Sequence, residues 1–397
     1  MRSLVLVAGL VLAGATIFTI LSFSAAPASG PAGPAAESLQ ERLRRLPGDY
    51  RGWARLAAQY VDQARVTGDP SYYTKAEGAI GTAARLRPDD DAVLTGQAAL
   101  AAGRHDFTRA ASLAERAIAA NPYGSAAYGV LADARTQLGD LPAARRAVDR
   151  MLGLHPGVGA FARASYAAEL RGDQAGARSF LEYAHDDAWA PADVAYARYY
   201  LGELALHSGD LTKAAGWYAE ALRAYPAYTP ALAGRARTAA LAGRLPEALD
   251  LYERVVERLP LPQYLIEQGE TRLKAGLPAD WTLLRAQRKL FQAAGVRDDL
   301  TWAEFEADHG DPAAAVRHAR AEYARNPNLV AADALAWALY RAGEPREALT
   351  YTRKATATGW RNPLLRYHRA VIERALGEPA RVDARFDPEL SALARFS

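Results

Sequence analysis

Small and apolar side chains recur along this chain in paired helical stripes. Between Leu232 and Pro260, Leu232, Ala236 and Ala239 share one face of a first helix, which ends at Ala242-Gly243. Ala248, Leu249, Tyr252, Val255 and Val256 then mark the face of a second helix. Pro260 stops it, because proline cannot continue the hydrogen-bond ladder. Small residues such as Ala236 and Ala248 are expected where the two helices cross, and Tyr252 is expected to fill space at the edge. Such a hairpin cannot bury its apolar stripe alone, but stacked copies bury it for one another.

The copies are present. Glycines fall at 139, 172, 209, 243, 276, 310, 343 and 377, with gaps of 33, 37, 34, 33, 34, 33 and 34 residues. Alanines follow five residues later at 144, 177, 214, 248, 315 and 348, and prolines close units at 88, 122, 156, 226, 260 and 327. A fixed period of this length predicts a solenoid of helix pairs. Units are expected at roughly 91–124, 125–157, 158–194, 195–228, 229–261, 262–295, 296–328 and 329–362. Two places depart from the pattern. His185-Asp186-Asp187-Ala188-Trp189-Ala190-Pro191 inserts about three residues, and Trp281 stands where a small alanine is expected, so a kink or a splayed hairpin is anticipated at each.

This pattern closely resembles the tetratricopeptide repeat family, whose consensus is Trp-x2-Leu-Gly-x2-Tyr followed by Gly, Ala, an aromatic, Ala and Pro. Trp53, Leu56, Ala57 and Tyr60 match its opening, and Leu201-Gly202 with Ala214, Tyr218, Ala221 and Pro226 is a strong copy. The resemblance implies an all-α, right-handed superhelical solenoid of stacked antiparallel helix pairs, about nine to ten units over residues 38–362, with a shortened last repeat and cap over 363–397. It also implies that the first helix of each unit lines a concave groove. Carried onto this chain, the groove positions are Tyr166, Tyr196, Tyr199, Glu203, Arg237, Glu270, Lys274, Glu304, Trp337, Tyr340 and Arg341, with Glu169, His207 and Asp308 beside them. Earlier units offer small groups such as Ala92, Ala99 and Ala162. The groove is thus expected to be bland at first and aromatic with mixed charge from its middle onward, the make-up of interface hot spots. Some family members clamp the acidic tails of cytosolic heat-shock chaperones with groove lysine and asparagine. Only four asparagines occur here, none at a groove position, so that partner is not expected.

The N-terminus has a different character. An uncharged, mostly apolar run from Leu4 to Phe23 follows Arg2, long enough as a helix to span a bilayer core. With no charge until Glu37, the positive-inside bias leaves the start in the cytoplasm and sends the rest across. Residues 1–23 read as a signal anchor or signal peptide, and 24–37 as a linker rich in proline, glycine and alanine. Ala26-Pro27-Ala28 has the form of a signal-peptidase site, so secretion after cleavage near Ala28 stands beside retention as an anchor.

Composition removes several classes of function. The 397 residues include no cysteine, which excludes disulfides, thiolate nucleophiles and cysteine-ligated metals. A net charge of +3, evenly spread, gives no footprint for nucleic acid. No phosphate-binding loop, dinucleotide fingerprint, zinc-protease helix or nucleophile elbow occurs. The seven histidines are scattered, without partners at ligand spacing on one helix. His185-Asp186-Asp187 comes nearest to a metal cluster, but the aspartates are expected to lie in a loop and cap the next helix; Asp89-Asp90-Asp91 and Asp298-Asp299 read as helix-start charges. Neither a cofactor nor a metal is expected. The sequence therefore points to a non-enzymatic scaffold or adaptor, exported and membrane-tethered, with a partner's peptide or helix in its concave groove. The alternatives are an accessory subunit that positions an envelope enzyme or transporter through its convex face, and a hydrolase with a site formed across repeats.

Overall fold

The computed structural model describes residues 38–379, which form twenty α-helices and no strand. The signal anchor or signal peptide expected over 1–23, the expected linker over 24–37 and the tail beyond 379 lie outside the described residues. No helix among the described residues is long and apolar enough to cross a membrane. A short α1 (Leu39–Arg45) precedes α2 (Tyr50–Thr67) and α3 (Ser71–Leu86), and the remaining helices also pair in sequence. The pairs are α4 (Asp91–Gly103) with α5 (Phe107–Ala120), α6 (Ser125–Gln137) with α7 (Leu141–Leu154), and α8 (Val158–Glu169) with α9 (Gln174–Asp187). They continue with α10 (Pro191–His207) and α11 (Leu211–Ala224), α12 (Thr229–Leu241) and α13 (Leu245–Arg258), and α14 (Pro262–Lys274) and α15 (Thr282–Ala293). Last come α16 (Asp299–His309) with α17 (Pro312–Arg325), α18 (Leu329–Arg341) with α19 (Pro345–Ala355), and the unpaired α20 (Pro363–Ala375).

One local device makes three successive hairpins. Gly139, Gly172 and Gly209 take left-handed conformations at φ of 75°, 77° and 77°, which end the first helix. The aspartate that follows (Asp140, Asp173 or Asp210) caps the second by accepting a backbone N–H three residues on. One repeat earlier the glycine position is held by His105, the single non-glycine residue with positive φ (60°) among the described residues. Ala236 and Ala248 are fully buried at the helix crossing, as their size requires. Tyr252 is fully buried as well, so it is a core residue and not an edge filler.

Of the two irregular places, one departs from expectation and one follows it. The extra residues near 185–194 lengthen the helices and leave only 188–190 as a loop: Asp186 and Asp187 are the last residues of α9, and α10 starts early at Pro191 to run 17 residues, against 13 for α12 and α14. Proline at the first position of a helix is favourable, because its missing N–H would be unpaired there anyway. The two aspartates therefore cap nothing, and α10 begins at Ala190 with no side-chain cap. The hairpin at Trp281 is splayed, as expected: the backbones of α14 and α15 approach each other far less than those of any other hairpin. The Trp281 ring lies where a Cβ on Gly269 would stand, only 2.1 Å away, so the absent side chain of one residue makes room for the other. Elsewhere the caps agree with the sequence: Asp90 accepts from Ala92 and Asp298 from Thr301.

The solenoid coils until it touches itself. Gly68, in the turn between α2 and α3, meets Leu259 and Leu261 before α14. The turn of α4 and α5 meets the loop before α16, where His105 Nδ1 lies 3.1 Å from the Arg297 carbonyl oxygen and the Arg297 N–H donates to the Arg104 carbonyl at 3.2 Å. Gly139 abuts the Pro327 carbonyl, and Asn328 Nδ2 donates to the Gln137 carbonyl at 2.9 Å. Gly172 abuts the Gly359 carbonyl, while Trp360 Nε1 donates to Glu169 Oε1 at 3.2 Å. Four consecutive turns thus seat on four consecutive loops, with bonded partners 191 to 193 residues apart. We call this contact the seam. Around it pack Leu170, Ala332, Ala355, Trp360 and Leu365, with the Tyr166 ring edge-on to Trp360 at 6.2 Å.

Candidate functional site

Because the coil closes, the inner face is largely interior. Of the eleven groove residues read from the sequence, Tyr199, Glu203, Arg237, Glu270 and Trp337 are buried, and Tyr166, Tyr196, Lys274, Glu304, Tyr340 and Arg341 are partly covered. None of the eleven is exposed. A buried ionisable group needs a partner to offset its lost hydration, and the partners come from the neighbouring unit.

Arg237 on α12 is the centre of this arrangement. Its Nη1 reaches Glu203 on α10 at 3.2 and 3.4 Å, and its Nη2 donates to Glu267 on α14 at 2.9 Å. Tyr218 donates to Glu203 at 2.6 Å, and Tyr252, one repeat later, donates to Glu267 at 2.9 Å. Burial raises the Glu267 carboxyl above its ordinary value, although Arg237 and Tyr252 oppose this. Burial also pushes both tyrosine hydroxyls far above theirs. The Tyr218 ring lies 2.5 Å from where a Cβ on Gly202 would stand and 2.7 Å from one on Gly234, so both first helices give it room.

The same logic runs along the inner face in both directions. Asp133 on α6 accepts two bonds from Arg163 on α8, at 2.9 and 2.7 Å. Glu169 pairs with His207 on α10 at 2.6 Å, and Glu270 with His309 on α16 at 3.0 Å. Asp308 accepts from Trp337 Nε1 on α18 at 3.0 Å and lies 3.6 Å from Arg341. His368 on α20 closes the series against Asp333 at 2.8 Å. Every first helix from α6 to α20 is thereby joined to the next by a polar bond, forming a continuous ladder. Burial lifts the Glu270 carboxyl to about 7, and its bond with His309 raises the imidazole despite the burial that opposes it.

Asp133, Arg163, Glu267, His309, Asp333 and His368 were not read from the sequence as members of this face. A signal was available: each bonded pair is separated by one repeat give or take a helical turn, from 29 to 39 residues. Looking for histidine partners within a single helix could not find them.

A cavity of about 190 Å³ opens on the inner side of the seam. Tyr73, Phe291 and Val296 give it apolar walls, and Arg65, His105 and Glu304 give it polar ones. Arg65 is paired with Asp62 at 2.7 Å. No hydrogen bond or ion pair holds the Glu304 carboxyl among the described residues; burial and the nearby Asp333, Asp298, Asp308 and Glu270 push its pKa well above the usual carboxylate range. Among the described residues no cluster of three or more acidic or histidine side chains could hold a metal.

Residues 99–165 and 161–229 match models of the tetratricopeptide repeat family, whose members are typically non-enzymatic scaffolds for protein–protein contact. No curated protein matches the chain. Among solved structures, the human IFIT1 dimer with PPP-AAAA is similar at a TM-score of 0.45 and 15% identity, over 80% of this chain and 85% of that one. The APC/C hetero-tetramer Cut9-Hcn1 follows at 0.43 and 12%, over 90% and 86%. YrrB, described as a TPR protein with an unusual peptide-binding site, reaches 0.32 and 16%, over 50% and 97%.

Proposed function

We propose that this chain is a non-enzymatic interaction scaffold, exported and held at a membrane by its apolar N-terminal run, that binds a segment of a protein partner at the inner mouth of the seam cavity. The observation that carries the reading is that cavity, which combines apolar walls with the unpaired Glu304 carboxyl. At about 190 Å³ it is smaller than the roughly 300–1,000 Å³ of small-molecule pockets, which suits one or two side chains of a protein segment better than a metabolite. The buried ladder then serves as the frame that fixes the curvature, and the partly covered Tyr196, Glu304, Tyr340 and Arg341 are the inner-face groups within reach of a partner. The uncharged run from Leu4 to Phe23 behind Arg2 supports the tether.

The test is a cross-linked pull-down of the full-length chain from its own membranes, beside a variant with Glu304→Lys and a tryptophan in place of Gln263, which also lines the cavity; its helicity and melting are checked by circular dichroism. One protein retained by the native chain and lost by the folded variant supports the reading. Unchanged retention places the interface elsewhere on the molecule. Protease protection of a C-terminal tag in sealed cells tests the topology separately, since an exported domain is cut from outside.

A further inference from the structure

The seam is an interface between two edges of the same solenoid. One edge carries the turns inside each helix pair, and the other carries the loops between pairs. In the seam, turns of the first four pairs, from α2 through α9, seat on the loops before α14, α16, α18 and α20. The apolar residues of those loops are hidden there: Leu259 is 5% exposed, Val296 5% and Trp360 3%.

Several of the remaining members of both edges are uncovered by the described residues. Gly243, Gly276, Gly343 and Gly377 have the left-handed backbone of Gly139 and Gly172, with φ from 71° to 86°. Where Gly139 and Gly172 have a loop carbonyl within 2.5 Å of a notional Cβ, these four have no atom of the described residues within 4 Å. On the opposite edge, the loops of the N-terminal half present Tyr123 and Trp189, each 76% exposed, and Tyr225 at 40%. Trp189 stands in the same kind of loop as Trp360, but no turn among the described residues covers it.

We propose that these two bare edges are the halves of a second seam, formed between copies of this chain: the turns of α12–α13, α14–α15 and α18–α19 of one copy seat on the Tyr123, Trp189 and Tyr225 loops of another. The occupant is a second copy because the seated turns and the bare turns share one backbone conformation, and the seated loops and the bare loops both offer large apolar residues. The intermolecular contact continues an interface already made within the chain. The two surfaces differ, so the association is head-to-tail and extends into chains unless geometry closes it into a ring.

The absence of cysteine makes the test direct. Sedimentation of the full chain in detergent should show mass rising with concentration, and Tyr123→Glu with Trp189→Glu should hold it at one copy per particle with unchanged melting, since both residues are exposed. A chain with Asp187→Cys, mixed with chains carrying Arg244→Cys, Leu277→Cys or Glu344→Cys, should give disulfide-linked dimers in at least one mixture and none from any variant alone. A monomer at every concentration overturns the proposal. So does a mass unaffected by the double variant, or cross-linking confined to identical chains, which would signal a symmetric contact of a different kind.

Discussion

Replacing Arg237 by methionine tests whether the inner-face ladder is what holds the solenoid in register. The substitution keeps much of the apolar stem and removes the cation, leaving Glu203 and Glu267 buried at 8% and 1% exposure without their shared partner. Breaking a buried ion pair in this way costs about 3–5 kcal/mol. An independent bound comes from protonation: neutralising one stranded carboxyl at pH 7, from an ordinary value of 4.5, costs about 3 kcal/mol. With two carboxyls stranded, partly held by Tyr218 and Tyr252, about 3–5 kcal/mol at pH 7 is the expected loss. Urea unfolding followed by circular dichroism measures it, and hydrogen exchange should place the loosening in α10, α12 and α14, because a solenoid transmits stability between neighbours.

The pH dependence sharpens the test. A stranded carboxyl has its folded pKa raised above the unfolded value, so its protonated form adds stability at low pH that is lost as pH rises through the folded value. The gap between variant and native chain should therefore be widest at pH 7 and above and narrow toward pH 5. Adding Glu203→Gln and Glu267→Gln to the variant should restore most of the loss, since an uncharged core needs no counter-ion. A gap below about 1 kcal/mol at pH 7, or one that does not narrow on acidification, refutes the role given to Arg237.

Two further outcomes follow from the same geometry. The Glu270 carboxyl is raised to about 7 by burial, and His309 is raised by its bond to Glu270, so the stabilisation from both is present at low pH and is lost as pH rises through neutrality. The native chain should lose about 1 kcal/mol between pH 6 and pH 8 from Glu270 alone; a melting series should show this slope, and Glu270→Gln should flatten it. Gly139→Ala and Gly243→Ala both impose about 1–2 kcal/mol of left-handed strain, but only the first would set a Cβ 2.4 Å from the Pro327 carbonyl. Gly139→Ala should therefore cost more in urea and speed hydrogen exchange in α17 and α18, whereas equal costs would mean that the seam contributes no stability.

Most of the fold was legible in the sequence because it depends on local rules repeated many times. The 33- to 34-residue spacing of Gly209, Gly243 and Gly276 and the closing prolines place the helices within a few residues, since each signal acts inside its own hairpin. Irregular units were less legible. The insertion before Pro191 lengthens α10, because proline is welcome at a helix start, whereas the splay expected at Trp281 is present in the wide separation of α14 and α15. The inner-face positions were found by the repeat register, but their exposure was not, and neither were Arg163, His309 and His368, whose partners lie one unit away.

What the sequence determined by itself is therefore the unit: two antiparallel helices, their caps, their crossing residues and the order of stacking. What only the tertiary structure decided is the curvature. A small rotation between neighbouring units, set by contacts such as Arg237 between Glu203 and Glu267, accumulates until Gly139 meets Pro327 and Trp360 meets Glu169. That sum over many interfaces turns a face expected to be an open groove into a lined interior, and no residue pattern within one repeat encodes it.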